Sequence, residues 1–489
     1  MDTRRIIGLV LGPLAFLLIQ SFLGVDADSG LTTPMRAVLA VTAWTAIWWI
    51  TEAVPIAVAS LLPMVLFPLT GALSGPETTA AYGHYIVFLF LGGFMLAMAF
   101  ERWNLHRRVA LWVIDVIGSS PRTIILGVMV ATASLSMWIS NTATSVMMLP
   151  IAIAIAKQLA DDPETPGDEN ATFGKALMLS IAYSASIGGM GSLIGTPVNM
   201  VLVGQVREVF DVEIGFLEWL RVGVPVAAVL LVVCWLYLTR IAFKLPGEPL
   251  AGGQAEIKRL RKAQGPISDE EIKVLVLFVI VALSWILRKA VLVKYFPGIN
   301  DTVIAICGAI ALFLIPGRER GESLLTWSEA VKLPWGVVLL MGGGFALAAG
   351  FSATNLAEYL ASVLVVPESI PLFVVLLLVV AAVNFLTEVT SNVATVSMLL
   401  PVLAAAAIPL GVHPYALLVP ATLAAGCAFM LPVATPPNAV VFGSGHLTVP
   451  DMVRAGLRMN LVSIVLIALF GYFVLPLIWG FVVGDAGGM

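Results

Sequence analysis

Residues 123–156 read TIILGVMVATASLSMWISNTATSVMMLPIAIAIA, an apolar stretch interrupted at its middle by Ser140, Asn141, Thr142, Ala143 and Thr144. About 20 apolar residues span a bilayer, so this run is long enough to enter one. Its centre would leave backbone groups that only protein or a water-filled cavity can satisfy at membrane depth. A re-entrant helical hairpin, entering and leaving on one side with its polar tip inside, meets both conditions. The pattern returns 251 positions later, where Pro371 to Ile408 is broken by Thr390, Ser391, Asn392, Val393, Ala394 and Thr395.

Working outward, Leu91-Gly92-Gly93-Phe94 and Gly342-Gly343-Gly344-Phe345 lie the same distance apart, and Met147-Met148-Leu149-Pro150 is answered by Met398-Leu399-Leu400-Pro401. Two further apolar stretches, Phe173 to Val203 and Ala416 to Phe442, break at Gly195-Thr196-Pro197-Val198-Asn199 and Ala434-Thr435-Pro436-Pro437-Asn438. They read as unwound helices that each cross once. The chain is therefore a duplication. An odd number of crossings separates the copies, which makes the second copy inverted relative to the first. Paired broken helices in inverted repeats point to a secondary transporter with its site at the midplane.

The composition agrees. Of the 489 residues, 60% are hydrophobic and 11% charged, whereas about a quarter of a soluble domain is charged. A net charge of -4 offers no polybasic face for nucleic acid. Cys234, Cys307 and Cys427 are far apart in apolar stretches and make neither a disulfide framework nor a metal cluster. The fold expected is an all-α polytopic membrane protein of about 11 transmembrane helices plus the two hairpins. Residues 1–30 hold the N-terminal span, retained rather than cleaved; 31–243 form the first repeat, with its hairpin opening inward. Residues 244–270 form a cytoplasmic linker rich in charge, Pro and Gly, and 271–489 the second repeat, its hairpin opening outward. One continuous span is expected over Pro55 to Leu73. Placing the N-terminus in the cytoplasm puts 20 of the 26 Lys and Arg inside, Arg318 and Arg320 among them, and the C-terminus outside.

Hairpin tips expose helix ends. N-terminal ends favour anions, and C-terminal ends with unwound carbonyls favour cations. Neither tip nor break carries a Lys or Arg. A dianion bound by neutral groups alone would be badly compensated in a low-dielectric site. Bound hard cations such as sodium, which prefer oxygen ligands, supply the compensation and favour symport. Glu52, in Thr51-Glu52-Ala53-Val54-Pro55, reads as an acid at a helix start. Glu388 reads either as support for the second hairpin or as a structural cap. His84, His106, His413 and His446 read as interfacial or loop residues, and Trp48, Trp49, Trp103, Trp138, Trp219 and Trp335 mostly as interface anchors. No His or Cys arrangement supplies an intramembrane nucleophile, base or metal cluster, so no enzyme is expected.

At Ser140-Asn141-Thr142, Ser391-Asn392-Val393, Met137-Trp138-Ile139 and Asn384-Phe385-Leu386-Thr387-Glu388 the chain resembles the divalent anion:sodium symporter family, the bacterial dicarboxylate and mammalian citrate/dicarboxylate carriers. The resemblance covers nearly the whole chain. It implies a first sodium site at Ser136, Ser140, Asn141 and Gly195, and a second at Thr387, Thr390, Asn392 and Ala434. It implies substrate contacts from Ser140, Asn141, Thr142, Thr196, Pro197, Ser391, Asn392, Val393, Thr435 and Pro436. Val393 departs from the family's hydroxyl at that position, which leaves the preferred acid open. The implied activity is sodium-coupled symport of C4-dicarboxylates such as succinate, malate and fumarate, without cofactor, by a homodimeric elevator in a bacterial inner membrane. Alternatives are sodium-independent dicarboxylate exchange and sodium-coupled citrate or sulfate transport.

Overall fold

In hydrocarbon each backbone N–H and C=O must find its partner inside the protein. Every repeating element among the described residues is accordingly helical, with one isolated bridge between Pro316 and Ser323. The computed structural model describes residues 3–24, 30–118, 120–160, 167–247, 253–317, 322–363 and 370–484. Arg318, Arg320 and residues 485–489 at the C-terminus lie outside them. Among the described residues six helices are long and apolar enough to cross a membrane: Thr3–Phe22, Gly75–Arg102, Phe216–Ala242, Asp269–Tyr295, Trp335–Ala353 and Val449–Trp479. Shorter apolar helices, including Pro121–Ser136, Asn141–Lys157, Leu372–Leu386 and Asn392–Ala407, lie between them.

The two halves follow the same order of elements. A helix–turn–helix pair, Pro121–Ser136 and Asn141–Ala160, is followed by a helix that stops at Gly189 and resumes as Pro197–Phe210, then by Phe216–Leu236. In the second half the pair is Leu372–Leu386 and Asn392–Ala407, the interrupted helix is Pro414–Ala425 resuming as Pro436–Phe442, and the last is Val449–Leu469. Asn104 and Asn355, 251 positions apart, share a left-handed φ of 54°, a conformation that asparagine tolerates better than most residues. Gly92 and Gly343, separated by the same interval, are tightly packed: a Cβ would lie 2.8 Å from the Ala305 backbone at one and 2.6 Å from the Ser60 carbonyl at the other.

Several expectations need correction. Pro55 to Leu73 is not one helix: Ile56–Ala59 ends at Ser60, and Leu62–Thr70 restarts with Pro63 in its first turn, where the missing N–H is harmless. Leu105–Ile117 and Leu356–Val363 form helices that apolar length alone does not reveal, because their faces are mixed. The linker contains a helix, Gly253–Lys262, tied to Leu105–Ile117 by the Arg261–Asp115 ion pair at 2.6 Å. Trp49 and Trp219 are buried rather than interfacial, donating to Ser60 Oγ at 3.0 Å and to the Met190 carbonyl at 2.9 Å. His106 and His413 are buried, and His84 and His413 accept from backbone N–H groups at helix starts. Glu52 caps the end of Thr33–Thr51, with φ 49°, and does not open a helix.

Candidate functional site

Four helices begin at one place. Asn141–Ala160, Pro197–Phe210, Asn392–Ala407 and Pro436–Phe442 all start from residues lining a single cavity of about 730 Å³. The starts at Asn141, Pro197 and Asn392 bring free first-turn N–H groups and partial positive charge to this wall, whereas Pro436 and Pro437 carry no N–H and Asn438 N is taken by Thr435 Oγ1. The wall includes Ser140, Asn141, Thr142, Gly195, Thr196 and Pro197 from the first repeat. The second repeat contributes Thr390, Ser391, Asn392, Val393, Ala434, Thr435 and Pro436. The ten residues expected to touch substrate are thus brought together. The Thr196 and Ser391 side chains make no capping hydrogen bond to their own helices, whereas Thr435 accepts from Asn438 N at 3.3 Å.

Behind each tip, oxygens crowd. Ser136 Oγ lies 2.6 Å from Asn141 Oδ1 and 2.7 Å from the Ala185 carbonyl. In the second repeat Thr387 Oγ1 lies 2.5 Å from Asn392 Oδ1 and 3.1 Å from the Ala425 carbonyl. A hydroxyl has one proton, so each cluster holds more acceptor capacity than its donor can satisfy. That is the chemistry of a hard-cation site. Both hydroxyl residues are fully buried. In the first cluster a Cβ on Gly195 would sit 2.5 Å from the Gly189 carbonyl and 3.0 Å from that of Ser136, and one on Gly189 would sit 2.5 Å from Asn141 Oδ1. Side chains at either glycine would therefore intrude on these oxygens. Thr390, also expected in the second set, turns its hydroxyl into its own hairpin, 2.8 Å from the Leu386 carbonyl and 2.6 Å from Thr395 Oγ1.

The breaks are held open by matched asparagines to which the sequence reading assigned no role. Asn199 Nδ2 donates to the Ser192 carbonyl at 2.7 Å and the Gly189 carbonyl at 3.1 Å. Asn438 Nδ2 donates to Leu431 at 2.9 Å and Ala428 at 3.1 Å. Each satisfies carbonyls released where the helix unwinds, as buried backbone demands. Their recurrence in the two GTPVN-like words was the available signal. The repeats then diverge. In the first, Ser192 Oγ donates to the Met137 carbonyl at the hairpin tip and accepts from Gly195 N at 3.1 Å. In the second, the buried Glu388 accepts from Met430 N at 2.9 Å and Leu431 N at 3.0 Å. Glu388 thus supports the second hairpin by joining it to the unwound strand.

A neighbouring cavity of about 600 Å³ shares Phe94, Ser140 and Pro334 with the first and is lined by Glu101, Arg102, Glu329 and Lys332. Arg102 pairs there with Glu329 at 2.6 Å and Glu322 at 3.0 Å. Sequence reasoning also missed Arg4. It lines the central cavity with Glu52, although neither tip nor break contains a cation.

A cavity lined by Ser, Thr and Asn side chains, with paired oxygen clusters behind the tips of apolar helical hairpins, defines a membrane transporter. Residues 5–480 match the family described as the sodium:sulfate symporter transmembrane region, and the chain belongs to that family, the divalent anion:sodium symporters. The sodium-dependent dicarboxylate transporter SdcS of Staphylococcus saprophyticus is 44% identical over 487 residues, covering 98% of this chain and 93% of that one. SdcS of Staphylococcus aureus is 45% identical over 485 residues, with the same coverage. Among solved structures, Neisseria gonorrhoeae MtrF (TM-score 0.59, 12% identity, 97% of this chain and 95% of that one) shares the fold. So does the Alcanivorax borkumensis YdaH transporter (TM-score 0.55, 16% identity, 90% and 98%).

Proposed function

We propose that the chain is a secondary active transporter coupling sodium to the uptake of C4-dicarboxylates, with succinate, malate and fumarate as its substrate class. The carrying observation is the pair of proton-poor oxygen clusters, Ser136/Asn141/Ala185 and Thr387/Asn392/Ala425, flanking a cavity faced by four helix starts. The helix starts suit two carboxylates, and two sodium ions behind the tips offset their charge. The SdcS relatives support sodium and dicarboxylate as the ligands. Asn141 and Asn392 serve both: each carbonyl oxygen faces the cation and each amide NH2 faces the anion.

In this reading eleven crossings place the N-terminus in the cytoplasm and the C-terminus outside a bacterial inner membrane, with the repeats inverted. The neighbouring cavity, where Arg102 and Lys332 stand among Glu101 and Glu329, lies on the flank that the Lys and Arg count assigns to the cytoplasm. The hairpins and interrupted helices move as a unit against the remaining spans, an elevator in a homodimer. Purified protein in vesicles with an imposed sodium gradient should accumulate succinate uphill. Flux that requires internal dicarboxylate and ignores sodium would select the exchanger instead. The family's name makes sulfate the other anion to test, and citrate follows from the carriers the chain resembles.

A further inference from the structure

Arg4 is the only cation among the described residues lining the central cavity. It belongs to the first span, outside both repeats, yet its Nη2 donates in two directions. One acceptor is the Ile50 carbonyl, at the end of the neighbouring helix Thr33–Thr51; the other is the Val389 carbonyl at 3.0 Å, in the tip of the second hairpin. Val389 stands between Thr387, whose hydroxyl belongs to the second oxygen cluster, and Thr390.

The placement of Arg4 is built into the packing. Gly8 and Gly12 let the first span lie directly on the second: a Cβ on Gly8 would fall 2.0 Å from Thr51 Oγ1, and one on Gly12 2.6 Å from Trp44. Trp48 Nε1 locks the register by donating to the Gly8 carbonyl at 3.1 Å. The guanidinium is therefore presented at a fixed height. Its planar fork suits two carbonyls that lie on different bodies. Val389 follows the arm Leu372–Leu386, whose C-terminal end carries partial negative charge.

We propose that Arg4 is a positioning residue for the translocation step: it clamps the second hairpin tip to the N-terminal spans in the state seen here and must release the Val389 carbonyl before the site can change sides. The proposal rests on the alternating-access reading above, since only a tip that moves relative to the first two spans needs a clasp. Among the described residues no equivalent cation lines this cavity beside the first tip, Arg102 and Lys332 lying in the neighbouring one, so within this cavity the clasp acts through one repeat.

The test measures that bias directly, in full-length protein reconstituted in vesicles. A cysteine at Val433, an exposed residue of the cavity wall, is introduced with Cys307→Ser, because Cys307 is the exposed native thiol and Cys234 and Cys427 are buried. Labelling by a membrane-impermeant maleimide is timed from each face without substrate. The ratio of the two rates reports the population ratio of the two states. Losing one charge-assisted hydrogen bond should shift that ratio on the order of tenfold in Arg4→Gln, away from the face open here. Arg5→Gln, which removes the same charge from the same membrane flank, should leave the ratio within about twofold. An unchanged ratio in Arg4→Gln, or equal shifts in both variants, would overturn the clasp.

As a second arm, Arg4→His with Val389→His, bridged by Zn2+ and so leaving the thiol at 433 unalkylated, should confine Val433→Cys labelling to one face. Bridged protein still labelled from both faces would also sink the proposal. Neither readout needs a substrate. A wild type that fails to accumulate succinate would strike the functional reading alone.

Discussion

Asn460 donates its side-chain amide to the Glu388 carboxylate at 2.7 Å, and Asn460 Oδ1 accepts from Phe429 N at 3.2 Å. With Met430 N and Leu431 N, the carboxylate receives three donors at the junction of the second hairpin, the second break and the helix Val449–Leu469. Every one of these donors requires an acceptor, so Glu388→Gln must turn an NH2 group toward at least one of them. Losing a buried hydrogen bond to a charged group costs about 1.5–3 kcal/mol. The variant should melt markedly lower in detergent. Asn460→Asp, which removes the amide donor and places two carboxylates together, should be as damaging. A Glu388→Gln protein with wild-type melting would show that the network carries no load.

Gly195 offers a test of the first oxygen cluster. Gly195→Ala places a methyl 2.5 Å from the Gly189 carbonyl, while Gly443→Ala, at the exposed end of Pro436–Phe442, meets nothing closer than 3.4 Å. Sodium at 100 times its Kd stabilises a folded protein by about 2.7 kcal/mol. Gly195→Ala should lose a large part of the sodium-dependent rise in melting temperature, and Gly443→Ala should keep it. Equal rises in both would place the first cation elsewhere.

At the second tip Val393 lines the cavity where Thr142 lines it at the first. Val393→Thr adds a donor for the anion and leaves Thr387 and Asn392 untouched. The order of preference among succinate, malate, fumarate and citrate should change in competition assays, with sodium activation nearly constant. Collapse of the sodium response with an unchanged order would assign this position to the cation.

In the proposed reading sodium and dicarboxylate meet at Asn141, whose Oδ1 faces Ser136 while the residue also lines the cavity. Binding of either ligand must then favour the other by the same factor. A coupling of about 1–3 kcal/mol, or about 5- to 150-fold, is typical. Calorimetry should show succinate binding weakened by such a factor when choline replaces sodium. Asn141→Ala should weaken both ligands together. Equal succinate affinity in the two salts, with folded protein, would reject symport.

Most of the helical layout was legible along the chain, because membrane depth forces backbone pairing into local helices and makes each interruption conspicuous. The repeated Ser-Asn words and the two GTPVN-like breaks marked residues that line the cavity. Local sequence also carried the asparagines Asn199 and Asn438, although not their task of tying loose carbonyls. Where mixed polarity replaced a clean apolar run, as at Leu105–Ile117 or around Ser60, the reading failed, since hydropathy measures burial in lipid and not packing against protein.

What only the tertiary structure decided was which distant groups meet. Trp219 looked like an interface anchor and proved to hold the Met190 carbonyl at a break. Glu388 had two readings until Met430, Leu431 and Asn460 were seen around it. Arg4 read as an orientation signal, 385 positions from the Val389 carbonyl it reaches. Local spacing fixes helices and caps because their partners lie within a few residues. A guanidinium's acceptor, or a carboxylate's third donor, depends on how the finished helices pack, and no periodicity along the chain records it.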